Sequence, residues 1–475
     1  MGKEIYDVAI IGAGVCGVSI FNDLILRGYN VVLLEKEQDV SVGTTKANSG
    51  IIHAGFDAKP GTLKAKLNVE GNLMFPDICA RINVPLVKCG AYVIGNDESV
   101  VDELVSRAKD NNVKGVKKLD RKALKQRLNN ITDNITTGLF AENSYIIEPY
   151  FYTICLAEEA VHNGGKLMLD FDVTKAKLVK DIWTISSKNS SVNAKIVINA
   201  SGFAYNQVAK ILGAEQYDIQ YRRGEYYVLD HSERNIVPST IFPLPTKDGK
   251  GVLVTPTASG NILVGPTSYI STDDTITTES GLKDIATKSS SMLNNVNLGK
   301  AIRVFSGVRT VVGDDFVIAK SNKAKNVVNL AGICSPGLSS APAIANYVRT
   351  MLGMNNDLKK GLKQLSPYTK LSELSVEEKN RLIAKNKDYG KIVCKCENIT
   401  LGEIKDAINR PIKPTTMDGI KRRIRPGMGR CQGGFCNDKV ALILAKENKM
   451  KLEDIVKEKK DGKYIVGNVT SKGEK

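Results

Sequence analysis

The sequence predicts an α/β fold on a parallel sheet, with an antiparallel sheet inserted into it and a small helical module at the C-terminus. Three observations carry this reading. The first forty residues run strand, glycine turn, helix, strand, which is a βαβ unit and implies parallel strands. Further on, residues 221–229 and 251–266 are β-rich and alternate in polarity, as an antiparallel sheet does. Last, four of the nine cysteines crowd into residues 394–436, the spacing of a compact metal-binding module.

Each element follows in order. Residues 8–11 form a short apolar strand that ends in glycine, residues 15–26 have helical spacing, and residues 31–34 form a second buried strand. Residues 197–200 and 327–330 read as further buried strands, each soon followed by glycine. Residues 358–391 are rich in Lys, Glu and Ser and read as a connector with some helix. The division is therefore a first unit over 1–357, a connector over 358–391, and a C-terminal module and tail over 392–475. At roughly 150 residues per domain, 475 residues allow about three domains. The hydrophobic fraction of 42% and charged fraction of 25% are ordinary for globular chains. They exclude a disordered, collagen-like or coiled-coil protein.

No uncharged apolar run reaches the roughly 18 residues of a membrane span. The opening MGKEIYD is not a secretory signal, and Tyr6 stands where a myristoylation site needs Ser or Thr. The expected location is the cytoplasm. The net charge is +16. Residues 391–475 hold 20 Lys and Arg against 11 Asp and Glu, so over half of the excess lies in the last fifth of the chain. The run KRRIR at 421–425 stands just before the second cysteine pair. It is expected to offset a cluster's negative charge or to face an electron-transfer partner. No nucleic-acid-binding module accompanies it.

The sharpest motif is GAGVCG, with Gly12, Gly14 and Gly17 at the strand-to-helix turn. Gly12 permits the tight turn, Gly14 the approach of a pyrophosphate, and Gly17 close helix–strand packing. The helix start then offers free N–H groups to phosphate. Glu35 ends the second strand, where it can accept hydrogen bonds from a ribose and disfavours a 2′-phosphate. Two more small-residue loops suit a long cofactor: VGTTKANSGIIHAG at 42–55 and AGICSPGLSSAPAIA at 331–345.

His53 sits among small residues in the first of these loops and is the candidate base. His162 reads as a helix end and His231 as a turn, so neither is given a role. Lys250, before a strand, is placed to hold an anionic group. Arg222 and Arg223 enter the inserted sheet, and one of them is expected to face the site beside Tyr226. Cys394, Cys396, Cys431 and Cys436 come as a C-x-C pair and a C-x4-C pair. Four thiolates suit either zinc or a [2Fe–2S] cluster.

The opening glycine turn, TTKANSGIIHAGFDAKPGTLKAKLN, VINASG, SGVRT and AGICSPGLSSAPAIA together resemble the FAD-dependent oxidoreductases of the D-amino-acid-oxidase type. Within them the chain is most similar to glycerol-3-phosphate and L-2-hydroxyglutarate dehydrogenases, over residues 5–352. The resemblance implies a Rossmann-type FAD-binding domain with substrate on the flavin ring under the inserted sheet. It implies FAD contacts at Gly12, Gly14, Gly17, Glu35, Lys36, Thr45, Asn48, Ser49, Val173, Gly202, Gly337 and Leu338. It implies a catalytic role for His53 and substrate binding by Arg309. The segment from CKCENITLGEIKDAI to GRCQGGFC resembles the bacterioferritin-associated-ferredoxin-like [2Fe–2S] domain, with all four cysteine positions filled.

The expected function is oxidation of sn-glycerol 3-phosphate to dihydroxyacetone phosphate. Electrons would pass through the cluster to a partner subunit, with membrane contact only through that partner. The alternatives are an L-2-hydroxyglutarate dehydrogenase, an amine or amino-acid dehydrogenase, and a non-catalytic flavin and iron–sulfur relay.

Overall fold

A computed structural model describes residues 4–245, 251–271 and 275–467. The strand Ile5–Ile11 lies at the centre of the first sheet. It runs parallel to Val31–Leu34 on one side and to Ser191–Asn199 on the other. Lys166–Met168 and Val327–Ala331 extend the parallel register outward. The strand is apolar on both faces because it feeds two cores. Val8 and Ile10 pack with Val18, Phe21 and Leu24 of the helix Val15–Leu26, and with the helices Pro149–His162 and Gly337–Met351. Ala9 and Ile11 point the other way, into a core with Trp183 and Tyr205. A strand covered on both faces reads as a continuous apolar run, as this one does.

The second sheet has nine strands among the described residues. Gln220–Leu229 pairs antiparallel with Ala301–Val311 along its length, setting Arg222 opposite Arg309, Gly224 opposite Gly307 and Tyr226 opposite Phe305. The sheet is mixed rather than wholly antiparallel, because Thr240–Pro243 runs parallel to Ala91–Gly95. Those two strands come from distant parts of the chain, so no hairpin dictates their direction.

The C-terminal module is helical, with its own core around Ile404, Ile420 and Leu444. Its first helix, Leu401–Ile408, starts in a reciprocal cap between Thr400 and Glu403. The helices Met417–Ile424 and Asn437–Asn448 follow. In the connector, Val376–Lys385 is helical and capped by Ser375 and Glu378.

The basic run departs from expectation. Arg422 and Arg423 are not on the surface; they are buried against the first unit. Arg423 donates to both oxygens of Asp39, at 2.7 and 3.0 Å, and Arg422 donates to the same carboxylate at 3.0 Å. Burial raises the Asp39 carboxyl, but the two guanidiniums outweigh it and hold it below the usual carboxylate range. Glu158, fully buried, accepts from Arg410 at 2.9 Å and from Tyr368 at 2.8 Å. The positive charge of this run is thus neutralised inside a docking interface. Removing one partner of such a buried pair strands the other charge, at a cost of about 3–5 kcal/mol.

Candidate active site and cysteine cluster

The glycine turn has room for nothing larger. Gly12 is left-handed (φ 104°), and a Cβ there would stand 2.6 Å from the Ala200 carbonyl oxygen. A Cβ on Gly17 would stand 2.0 Å from the Gly12 carbonyl oxygen. At Gly14 the nearest atom is Thr45 Oγ1, at 3.3 Å. The helix Val15–Leu26 begins with no side-chain cap, so its first N–H groups face the turn. The Val15 N–H donates to Thr45 Oγ1 at 3.0 Å, and the Ala13 N–H to Glu35 Oε2 at 2.7 Å. Burial pushes the Glu35 carboxyl up, against the pull of the Ala13 and Glu37 N–H groups.

Other expected cofactor residues lie around the turn and the end of the second strand. Gly202 (φ 56°) follows Ala200 and Ser201, which pack on Gly12. Val173 is buried beyond the end of the second strand, where the Phe171 N–H bonds the Glu35 carbonyl. Lys36 is exposed beside Glu37. Asn48 ties its own loop, donating to the Thr45 carbonyl and accepting from the Gly50 N–H. These groups form a cradle of backbone and small side chains that a dinucleotide fits. We expect Gly17→Ala to force strand and helix apart and to purify without most of its flavin. A full flavin-to-protein ratio would contradict this.

His53 is held by its backbone. Its N–H donates to Ser339 Oγ at 2.8 Å, and its carbonyl accepts from Asn68 at 3.1 Å and Asn72 at 3.0 Å. Its Nε2 lies 3.5 Å from Ser335 Oγ. Ser335 and Ser339 flank Gly337 and Leu338 at the uncapped start of Gly337–Met351. The structure thus joins His53 to the second small-residue loop, although 275 residues lie between the two loops. A recess lined by His53, Asp57, Phe242 and Pro245 opens beside the imidazole.

Arg309 lies on the second sheet. Its guanidinium donates to Ser268 Oγ at 2.8 Å, and Arg222 reaches the same oxygen at 3.4 Å. On the same strand as Arg222, Tyr226 stacks on Phe305 and places its hydroxyl 3.2 Å from Ser49 Oγ. Gly307 closes this sheet onto the loop: a Cβ there would stand 2.2 Å from the Ala47 carbonyl oxygen. Of the two strand arginines, Arg222 is the one beside Arg309. Arg223 points to buried Glu225, at 3.3 Å. Lys250 lies outside the described residues. Sequence reasoning missed Asn68, Asn72 and Ser268. The two asparagines, one turn apart on the helix Leu63–Arg81 and both buried, left a readable signal; Ser268, in a loop, left none.

The four cysteines form a separate cluster, and none is in a disulfide. Cys396 Sγ lies 3.6 Å from Cys431 Sγ, and Cys436 neighbours Cys394. Burial and the neighbouring thiols push Cys436 up to about 12. Cys431 moves the other way. Burial would raise it, but N–H groups of Phe435, Gly433 and Gly434 and the Cys396 thiol outweigh that. Thiolates are the form that binds iron, and bound iron would favour them here. Among the described residues, no three His, Cys, Asp or Glu side chains converge on one point. The four thiols would hold an iron–sulfur cluster if one is bound. The cluster loops grip the first unit through Arg425–Asn261, Arg430–Asp230 and His231–Glu397. No helix among the described residues is long and apolar enough to cross a membrane.

Residues 7–351 match the family described as FAD dependent oxidoreductase, and residues 392–446 the BFD-like [2Fe–2S] binding domain. The chain is 43% identical to a glycerol 3-phosphate dehydrogenase of Caloramator mitchellensis, over 98% of this chain and 99% of that one. It is 30% identical to a glycerol 3-phosphate oxidase of Mycoplasma pneumoniae, over 74% of this chain and 95% of that one. Among solved structures, the dithionite-reduced L-alpha-glycerophosphate oxidase from Mycoplasma pneumoniae with FAD bound superposes with a TM-score of 0.73. It has 28% identity and covers 77% of this chain and 100% of its own.

Proposed function

The chain belongs to the FAD-dependent oxidoreductase family, and from that premise we propose that it oxidises sn-glycerol 3-phosphate to dihydroxyacetone phosphate and passes the electrons through a [2Fe–2S] cluster to a partner. The observation that carries the substrate is the pair Arg222 and Arg309. Two guanidiniums stand side by side on adjacent strands, sharing Ser268. Like charges placed together suit a doubly charged anion such as a phosphate monoester, which guanidinium forks bind bidentately. The 43% identity to a glycerol 3-phosphate dehydrogenase supports the same choice.

FAD, held by the Gly12–Gly17 turn, Glu35, Thr45 and the start of Gly337–Met351, supplies the hydride acceptor when bound. His53 takes the proton of the substrate's C2 hydroxyl on its imidazole. Its backbone anchors to Ser339, Asn68 and Asn72 keep the ring at one place on the loop. Arg309 and Arg222 hold the phosphate, and Tyr226, on the same strand as Arg222, meets Ser49. Cys394, Cys396, Cys431 and Cys436 hold the cluster. Cys396 is exposed, and Phe435 beside Cys436 is 82% exposed. That face is where a protein acceptor can reach the cluster.

Anaerobic titration tests the substrate. Glycerol 3-phosphate is expected to bleach the flavin band, while L-2-hydroxyglutarate and amino acids leave it intact. Bleaching by L-2-hydroxyglutarate alone would transfer the site to the 2-hydroxy acids.

A further inference from the structure

The C-terminal module grips the segment that carries five of the twelve expected FAD contacts. Glu35, Lys36, Thr45, Asn48 and Ser49 all lie between residues 35 and 49. Within the same stretch, Asp39 and Lys46 face the module instead. Asp39 is 2% exposed and takes hydrogen bonds from Arg422 and from both terminal nitrogens of Arg423. Arg423 is itself pinned, donating to the carbonyls of Gly419 at 2.9 Å and Ile412 at 3.0 Å. Lys46 is paired with Glu458, which also accepts from Arg422 at 2.5 Å. The same segment is tied to the glycine turn from its other side. The Ser41 N–H bonds the Ala13 carbonyl at 3.0 Å, Thr45 accepts from Val15, and Glu35 accepts from Ala13.

Module, segment and glycine turn therefore form one continuous hydrogen-bonded unit. A ligand that orders the segment must also favour the docked position of the module, and docking must favour the ligand by the same factor. We propose that FAD binding and docking of the C-terminal module are coupled through Asp39, Arg422 and Arg423, which act as positioning residues for the flavin site. The proposal rests on the reading that residues 35–49 hold FAD. A consequence is that the module serves the flavin site as well as electron transfer.

Amide hydrogen exchange on the full-length protein, with and without FAD, tests the coupling. FAD is expected to slow exchange in residues 35–49 and also in the helix Met417–Ile424, more than in Asn437–Asn448 of the same module. Protection of 35–49 with Met417–Ile424 unchanged, or equal protection of both module helices, would overturn the coupling while leaving the FAD reading intact. No protection of 35–49 would overturn that reading and the coupling with it.

FAD affinity of variants gives a second readout. Arg423→Met and Asp39→Asn are each expected to weaken FAD about tenfold, within the usual range for coupled sites. The double variant should lose less than the two losses combined. Should Arg423→Met fold poorly, Glu458→Gln, at the partly exposed edge of the network, is expected to give a smaller loss in the same direction. Unchanged FAD affinity in a folded Asp39→Asn or Glu458→Gln protein would contradict the proposal.

Discussion

His53→Ala is expected to slow flavin reduction by glycerol 3-phosphate about 10²- to 10⁴-fold, the range for loss of a positioned general base. The loop itself should survive. Ser339, Asn68 and Asn72 hold the backbone at residue 53, not the imidazole. The variant should therefore keep its flavin and show ordinary substrate binding, with the loss confined to the chemical step. Rapid-mixing measurements at saturating substrate check this. A reduction rate equal to the parent's would remove His53 from the mechanism.

Arg309→Met is the second large effect. The lost contacts are charge-assisted hydrogen bonds worth about 1.5–3 kcal/mol, or roughly 10- to 100-fold in kcat/KM. The loss should appear mainly in KM, because the phosphate is bound alike before and during hydride transfer. Arg222→Met should follow in the same direction with a smaller effect, since its approach to Ser268 is the longer one. Inorganic phosphate should inhibit the parent competitively and the Arg309→Met variant more weakly. Unchanged KM values in both variants would place the phosphate elsewhere.

Features set by local chain chemistry were legible in the sequence. The glycine turn and the acid at the end of the second strand depend on neighbours a few residues away. The paired arginines are different. Arg222 was one of two candidates until strand register placed it opposite Arg309, and register between strands so far apart is not written in either one. The run 421–425 misled for a physical reason. Five residues with four positive charges read as a counter-charge to a cluster or a face for an electron-transfer partner. Arg422 and Arg423 are buried against a carboxylate, Asp39, that lies just after the second strand, nearly four hundred residues earlier. Lys250 remains a sequence expectation alone.

The account turns on electrons entering at the flavin and leaving through the cysteines. Anaerobic rapid mixing with glycerol 3-phosphate, following flavin and cluster absorption together, tests this most directly. The account predicts flavin bleaching first, at a rate that saturates with substrate, and then loss of the cluster's absorption. In a Cys436→Ser variant lacking the cluster, the flavin should bleach as before and no second phase should follow. A flavin that stays oxidised with glycerol 3-phosphate, or a cluster that stays oxidised while the flavin bleaches, would contradict it.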